Sequence, residues 1–340
     1  MKEKITNFNW PTIGHEPIIE FMQKSILNNK LSHAYLFIGP EHVGKSLIAG
    51  YFIGSLQCEN QQKKFKNVPC YQCSACDQLQ KRIHPDVYFI DKNKDKKNIS
   101  IEQIRELEHK LSMRSFLTAY KIAVINDADE MTIDAANSLL KTLEEPTPKT
   151  IIILLATKIN LIPLTIISRC QIIKFNLVSK KKIFDHLIII NNNKKEAQDL
   201  ASLSQGRPGL AITYVQDKSL IEEYEDKIKT LLEIIGSNIK QKFNKIDKII
   251  PKNNTFSEIN ESLISTMDIW SLLFRDLLLI KSQNTNNITN FFIKNKLILL
   301  AKRYKTHQLN NLLFNLEETK KLLSQNINPK ILLENLVLNL

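Results

Sequence analysis

An apolar run leads directly into a glycine-containing loop at residues 34–46, which read AYLFIGPEHVGKS. The loop fits the pattern G-x-x-x-x-G-K-[ST], with Gly39, Gly44, Lys45 and Ser46 at the fixed positions. Backbone N–H groups of such a loop surround phosphate oxygens, while the lysine reaches the outer phosphates and the hydroxyl ligates Mg²⁺. Because a strand pattern precedes the loop and a helix pattern follows it, we predict a binding site for ATP with Mg²⁺.

The region around this loop alternates strand-like and helical patterns. Four apolar runs suit central strands of a parallel sheet that is covered on both faces. These runs are Ala34–Ile38, Val87–Ile90, Ile122–Ile125 and Ile151–Leu155. After about residue 217 the patterns are amphipathic and helical, over Leu220–Ile235, Leu263–Ile280, Leu309–Leu323 and Ile331–Leu340. The sequence therefore predicts an α/β nucleotide-binding core followed by helical regions.

Bulk composition narrows the class of protein. A chain of 340 residues with 43% apolar residues is long and apolar enough for two or three packed domains. The net charge of +12 has two interpretations, contact with nucleic acid or acidic partners, and a lysine-rich composition spread along the whole chain. The sequence shows neither a membrane-length apolar run nor an apolar stretch in its first ten residues. We therefore expect a cytoplasmic protein without a membrane span.

The end of the Ile122–Ile125 run bears on catalysis. ATP hydrolysis needs an acidic pair at the end of a second strand, one carboxylate for Mg²⁺ and one to polarise water. This run ends in Asn126 and Asp127. The amide of Asn126 is neutral and the side chain of Asp127 is one methylene shorter than glutamate, so we predict weak or absent hydrolysis. Asp129 and Glu130 lie past the strand end, where we expect them to cap the next helix and place negative charge at its N-terminus.

Four of the five cysteines form a compact cluster in the sequence. Cys58, Cys70, Cys73 and Cys76 follow the helix pattern after the loop, and the last three have C-x2-C-x2-C spacing. Four thiolates suit tetrahedral Zn²⁺, and four protein ligands leave no open catalytic position. We predict a structural zinc site, with an iron–sulfur cluster and unligated thiols as the two alternatives.

Several motifs together resemble one protein family. Leu31–Phe37 before the loop, the four-cysteine insertion, the run Asn137–Pro146 (NSLLKTLEEP) and the Ser168-Arg169-Cys170 triplet are similar to AAA+ subunits of bacterial DNA polymerase III clamp loaders. The similarity extends from residue 12 to about 215 and is looser in the C-terminal helices. The resemblance implies an AAA+ core at 1–176 with a zinc module at 58–76, a small helical lid at 177–215 and an all-α collar at 216–340.

The same resemblance implies partners. Clamp-loader subunits form a hetero-pentamer of gamma/tau, delta and delta-prime subunits, which opens the beta sliding clamp and places it on primed DNA. Contact of basic side chains with DNA phosphates would be independent of base sequence. We therefore expect binding to other loader subunits, to the beta clamp and to primed DNA.

Residue roles within the family separate a motor from a non-motor subunit. Arg169 corresponds to an arginine finger that reaches the ATP of a neighbouring subunit. Thr157 matches the first sensor position, whereas Asn126-Asp127 and Gly209 stand where a gamma/tau motor has Asp-Glu and a nucleotide-sensing arginine. This pattern favours a non-motor, delta-prime-type subunit. A divergent gamma/tau-type ATPase is the main alternative, and an AAA+ nucleic-acid-binding regulator outside replication is the other.

Overall fold

A computed structural model describes residues 7–60, 67–92, 98–113, 115, 120–250, 255–325 and 327–340. The chain divides into two compact units. The first comprises residues 1–182 with 206–209, and the second comprises 183–205 with 210–340. The predicted division into core, lid and collar stays a prediction.

The first unit is built from strands that alternate with helices. Its elements are β1 Asn7–Phe8, α1 Glu16–Leu27, β2 Ala34–Ile38, α2 Lys45–Gln57, β3 Asn67–Val68, α3 Ser74–Gln80, β4 Val87–Ile90, α4 Ile101–Ser112, β5 Lys121–Ile125, α5 Ile133–Glu144, β6 Thr150–Ala156, α6 Leu164–Ile167 and β7 Gln171–Lys174. Short 3-10 turns at Ala128–Glu130 and Ile159–Leu161 lie among them.

Five parallel strands form the central sheet in the order β4-β5-β6-β2-β7. Successive residues of β2 point to opposite faces, so Tyr35 and Phe37 join the core beneath α1 and α2, while Leu36 packs against the side of α4 and α5. Every residue of β2, β5 and β6 is buried. This burial explains why the strands are apolar without alternation, and it confirms the predicted parallel sheet covered on both faces.

The described residues of the second unit form helices joined by turns, and no strand lies among them. The helices that contribute to it, two of which begin in the first unit, are α7 Lys180–Asn191, α8 Lys194–Leu203, α9 Pro208–Gln216, α10 Ser219–Ile235, α11 Ile239–Ile249, α12 Phe256–Lys281, α13 Lys294–Ala301, α14 Thr306–Ser324 and α15 Pro329–Leu338. Trp270 and Phe274 of α12 are fully buried at the centre of its core. The α/β core followed by helices is the predicted fold class. No helix in the described ranges is long and apolar enough to cross a bilayer.

Among the elements that the sequence pattern did not indicate are β1, β3, β7 and α11. The strands β1 and β3 have two residues each and pair in parallel with one another. The strand β7 forms by pairing with the edge of β2, and its sequence QIIK has too few apolar residues to predict a strand alone. The helix α11 is lysine-rich and begins with a capping box from Asn238 and Gln241.

Candidate functional site

The phosphate loop and two strand ends meet at one edge of the central sheet. In a parallel sheet the carboxyl ends of neighbouring strands lie together, and here β5, β6 and β2 are adjacent. Their following residues line a cavity of about 430 Å³. The predicted residues that line it are Gly44, Lys45, Ser46, Asn126, Asp127 and Thr157, and Gly39 lies at the end of β2.

The loop has the geometry that phosphate binding requires. Gly44 adopts φ +107°, a conformation that side-chain-bearing residues rarely tolerate, and it precedes the first residue of α2. The ammonium of Lys45 contacts the carbonyl oxygens of Gly39 at 2.5 Å and Pro40 at 2.8 Å. Burial lowers the pKa of Lys45, and the carboxylates of Glu41, Asp129 and Asp127 oppose that shift. A half-buried cation beside a helix N-terminus fits a nucleotide phosphate.

The side chains after β5 are engaged by residues that follow β4. Asn126 donates from its Nδ2 to Asp91 Oδ1 at 2.5 Å. Asp127 adopts a left-handed conformation with φ 50° and lies 3.5 Å from Lys92 Nζ. Both side chains also line the cavity. The strand end therefore offers one amide and one ion-paired carboxylate where hydrolysis needs two positioned carboxylates.

The expectation that Asp129 caps the following helix is wrong. Thr132 caps α5, with its side chain accepting a hydrogen bond from the backbone N–H of Ala135 at 3.2 Å. The 3-10 turn at residues 128–130 carries Asp129 back over the sheet, where its carboxylate accepts a hydrogen bond from the Thr157 hydroxyl at 2.6 Å. Glu130 pairs with Lys92 at 3.0 Å instead of interacting with α5.

Gly209 lies against the phosphate loop. Its backbone N–H donates to the carbonyl oxygen of His42 at 2.8 Å. A Cβ atom at this position would also lie 2.8 Å from that oxygen, closer than such contacts occur. The backbone of residue 209 approaches His42 so closely that only glycine fits at this position. An arginine at position 209 would not fit in this arrangement.

Substitution of Gly209 by alanine should disturb the loop rather than improve nucleotide sensing. We expect the affinity of the full chain for Mg·ATP to fall about threefold to tenfold, since His42 must move away from its contact. Isothermal titration measures the change. Gly50→Ala is a matched control, because a Cβ atom at Gly50 of α2 meets no heavy atom within 4 Å. Equal affinities for wild type and Gly209→Ala would show that the close contact has no influence on the loop.

Arg169 lies between α6 and β7, and its side chain is 35% exposed. Its Nη2 contacts Glu144 Oε1 at 2.6 Å, and Nη1 donates to the carbonyl oxygen of Thr165 at 2.9 Å and the hydroxyl of Ser168 at 3.1 Å. A partly exposed ion pair contributes about 1 kcal/mol or less to stability. These contacts orient the guanidinium of Arg169, but they are weak enough to be exchanged for another partner.

The four predicted metal ligands converge. The sulfur atoms of Cys58, Cys70, Cys73 and Cys76 all lie within 4.8 Å of one another. A hydrogen bond from the Cys76 thiol lowers the pKa of Cys58 to about 5, and the same bond raises the pKa of Cys76. A cluster of four thiols that already favours one thiolate fits a soft tetrahedral cation such as Zn²⁺, with no ligand position left open.

The cysteine cluster joins three segments of the first unit. Cys58 directly follows α2, the helix that begins at Lys45 in the phosphate loop. Residues 61–66, within the polar segment Glu59–Asn67, lie outside the described ranges. The short strand β3 follows them. β3 pairs with β1, so Phe8 packs against the cluster. A bound metal would therefore link the end of α2 to the segment Cys70–Cys76, against which β1 packs through Phe8.

Comparisons with known proteins agree with this architecture. A family model described as "DNA polymerase III, delta subunit" matches residues 14–179. The DNA polymerase III subunit delta' of Bacillus subtilis (strain 168) is 29% identical over 329 residues, which cover 95% of each chain. The chain is thus similar to DNA polymerase III delta' subunits along nearly its whole length. Subunit delta' of Pseudomonas aeruginosa, 33% identical over 139 residues, matches 41% of this chain and 42% of its own length.

A tau subunit shows a comparable degree of sequence identity. The tau subunit of Bacillus subtilis (strain 168) is 30% identical over 285 residues, and the match spans 79% of this chain but 50% of tau. A gamma subunit-related protein from Thermotoga maritima of known crystal structure has a TM-score of 0.44 and 17% identity, covering 95% of this chain and 97% of that one. Sequence similarity alone therefore places this clamp-loader relative near both delta' and gamma/tau.

Sequence reasoning missed the residues that hold the side chains of the site, which are Asp91, Lys92, Asp129 and Glu144. Glu144, which contacts Arg169, lies inside the NSLLKTLEEP run, so its position in that motif was the available signal. Asp129 had no comparable signal, because its partner Thr157 is 28 residues away and is brought close by the pairing of β5 with β6.

Proposed function

We propose that this chain is the delta-prime subunit of a bacterial DNA polymerase III clamp loader, a non-motor component that binds nucleotide without efficient hydrolysis. One observation carries the proposal. The end of β5 presents Asn126, hydrogen-bonded to Asp91, and Asp127, paired with Lys92, in place of two carboxylates aimed at a nucleotide. Lys45 would hold the phosphates, and Ser46 and Asp127 would be available to ligate Mg²⁺. The match to delta' over 95% of both chains supports the same assignment.

Arg169 would supply the chemistry that this chain contributes to the complex. The triplet Ser168-Arg169-Cys170 is part of the family resemblance, and the guanidinium is partly exposed with a weak ion pair to Glu144. An arginine delivered from a neighbour stabilises the charge that develops on the transferred phosphoryl group. We therefore assign to Arg169 the role of an arginine finger in trans.

The helical region, the positive charge and the zinc module would serve assembly of the clamp loader and its contact with DNA. In this proposal the helical region joins gamma/tau and delta subunits in a hetero-pentamer, which acts in the cytoplasm on the beta clamp and primed DNA. The net charge of +12 suits contact with DNA phosphates without sequence readout. A structural Zn²⁺ on the four cysteines would stabilise the module beside α2 and take no part in ATP chemistry.

A binding and turnover experiment tests the proposal. The isolated wild-type chain should bind Mg·ATP but release phosphate no faster than a protein-free control. Lys45→Ala should weaken Mg·ATP binding about tenfold or more, because the phosphates lose a half-buried cation. In a reconstituted loader this variant should reduce turnover less than Arg169→Ala does. Steady hydrolysis by the isolated chain that Lys45→Ala abolishes would contradict a non-motor subunit.

A divergent gamma/tau-type ATPase is the second candidate function. The intact phosphate loop and the 30% identity to a tau subunit favour it. In that case Asp127 would have to leave Lys92 and take the place of the catalytic glutamate. Asp127→Asn then separates the two functions, since it should abolish the turnover of a motor subunit and change little in a non-motor one.

A further inference from the structure

The hydroxyl of Thr157 donates its proton in a hydrogen bond to Asp129. Thr157 follows the last residue of β6 and lines the nucleotide cavity together with Lys45 and Ser46. Its hydroxyl donates to Asp129 Oδ2 at 2.6 Å, and the same oxygen accepts from the backbone N–H groups of Thr157 at 3.2 Å and Lys158 at 2.9 Å. Asp129 itself is 9% exposed. Three convergent donors therefore fix this carboxylate behind the cavity wall.

The direction of that hydrogen bond determines what Thr157 can offer a ligand. An ionised carboxylate only accepts, so the single proton of the hydroxyl points to Asp129. The 2.6 Å distance is that of a charge-assisted bond, which is stronger than a neutral one. The hydroxyl therefore presents lone pairs to the cavity, and phosphate oxygens are also acceptors. Thr157 cannot donate to a phosphate without giving up its bond to Asp129.

The charge of Asp129 acts in the same direction. Its carboxylate is close enough to Lys45 to oppose the burial that lowers the pKa of that ammonium, so its field reaches the part of the cavity where phosphates would bind. A nucleoside triphosphate carries more negative charge than a diphosphate, so the carboxylate opposes the additional phosphate more strongly.

From these contacts we infer that Asp129 is a specificity-determining residue that makes the nucleotide pocket insensitive to the third phosphate. The pocket binds nucleoside di- and triphosphates with comparable affinity, because Thr157 is held as an acceptor and the charge behind it disfavours the added phosphate. Asp129 acts through Thr157 and does not touch the ligand. This inference rests on the nucleotide-binding part of the proposed function.

Titration of the full chain with Mg·ATP and Mg·ADP tests the inference. For wild type, the two dissociation constants should agree within about threefold. Asp129→Ala frees the hydroxyl and removes the charge, so preference for ATP over ADP should rise about fivefold or more. The double variant Asp129→Ala with Thr157→Val should lose most of that gain. Glu106→Ala is the matched control, because it removes an exposed carboxylate of α4 that pairs with Lys110 and should leave the ratio unchanged.

Further variants keep the test decisive if Asp129→Ala does not fold. Thr157→Val removes the hydroxyl alone, and its ratio of dissociation constants should stay within about threefold of unity. A wild-type preference for ATP of about tenfold or more that Thr157→Val abolishes would overturn the inference while leaving the pocket intact. Failure of wild type to bind either nucleotide at millimolar concentration would overturn the pocket itself, and with it this inference.

Discussion

Arg169→Ala in a reconstituted clamp loader should reduce DNA-stimulated ATP turnover about tenfold or more, while the isolated chain keeps its stability. An arginine finger contributes when phosphoryl transfer develops charge, and its loss removes that stabilisation from the neighbouring site. The ion pair with Glu144 lies at the surface, so its loss should cost about 1 kcal/mol or less in folding free energy. Phosphate release by the assembled complex, with primed DNA and beta clamp present, measures the effect.

Two variants show whether the charge or the shape of Arg169 matters. Arg169→Lys retains the charge but loses the planar fork, so it should recover only a minor part of the turnover. Arg105→Ala is the matched control, since Arg105 is an exposed arginine on α4 and should leave turnover at the wild-type value. A complex with Arg169→Ala that assembles normally and hydrolyses ATP within twofold of wild type would rule out the arginine finger.

Cys76→Ser should release the metal and destabilise the first unit. Wild type purified without chelator should contain about one Zn²⁺ per chain, and the variant should contain little or none. Because Zn²⁺ binding contributes directly to folding free energy, we expect the first unit to lose about 3 kcal/mol or more of stability. Elemental analysis gives the metal content, and chemical denaturation followed by tryptophan fluorescence reports through Trp10, which donates to Ser55 of α2.

The fifth cysteine provides the control for this prediction. Cys170 lies outside the cluster, and burial raises the pKa of its thiol to about 12. Cys170→Ser removes a sulfur atom from the same unit but should retain the full metal content. Wild-type protein without zinc, or a Cys76→Ser variant that retains it, would argue against the site. Iron in place of zinc would favour the iron–sulfur alternative.

The central sheet could be predicted because its signal is local. Each main strand is a continuous apolar run. The structure extends one predicted strand by one residue, to Lys121–Ile125, and another by one residue at each end, to Thr150–Ala156. The phosphate loop is equally local, since its fixed residues lie within eight positions. By contrast, β7 exists through pairing with β2, and its own four residues do not indicate a strand.

The sequence by itself determined the phosphate loop, the four thiols and the parallel sheet, because each depends on residue type at short spacing. Tertiary structure decided which hydrogen bonds the residues after β5 and β6 form. The pairing of β4, β5 and β6 brings Asp91 to Asn126 and Asp129 to Thr157, across 35 and 28 residues of chain. The convergence of cysteine sulfur atoms within 4.8 Å also required folding. Local pattern sets which groups are available, and strand order sets the hydrogen bonds that determine what those groups can bind.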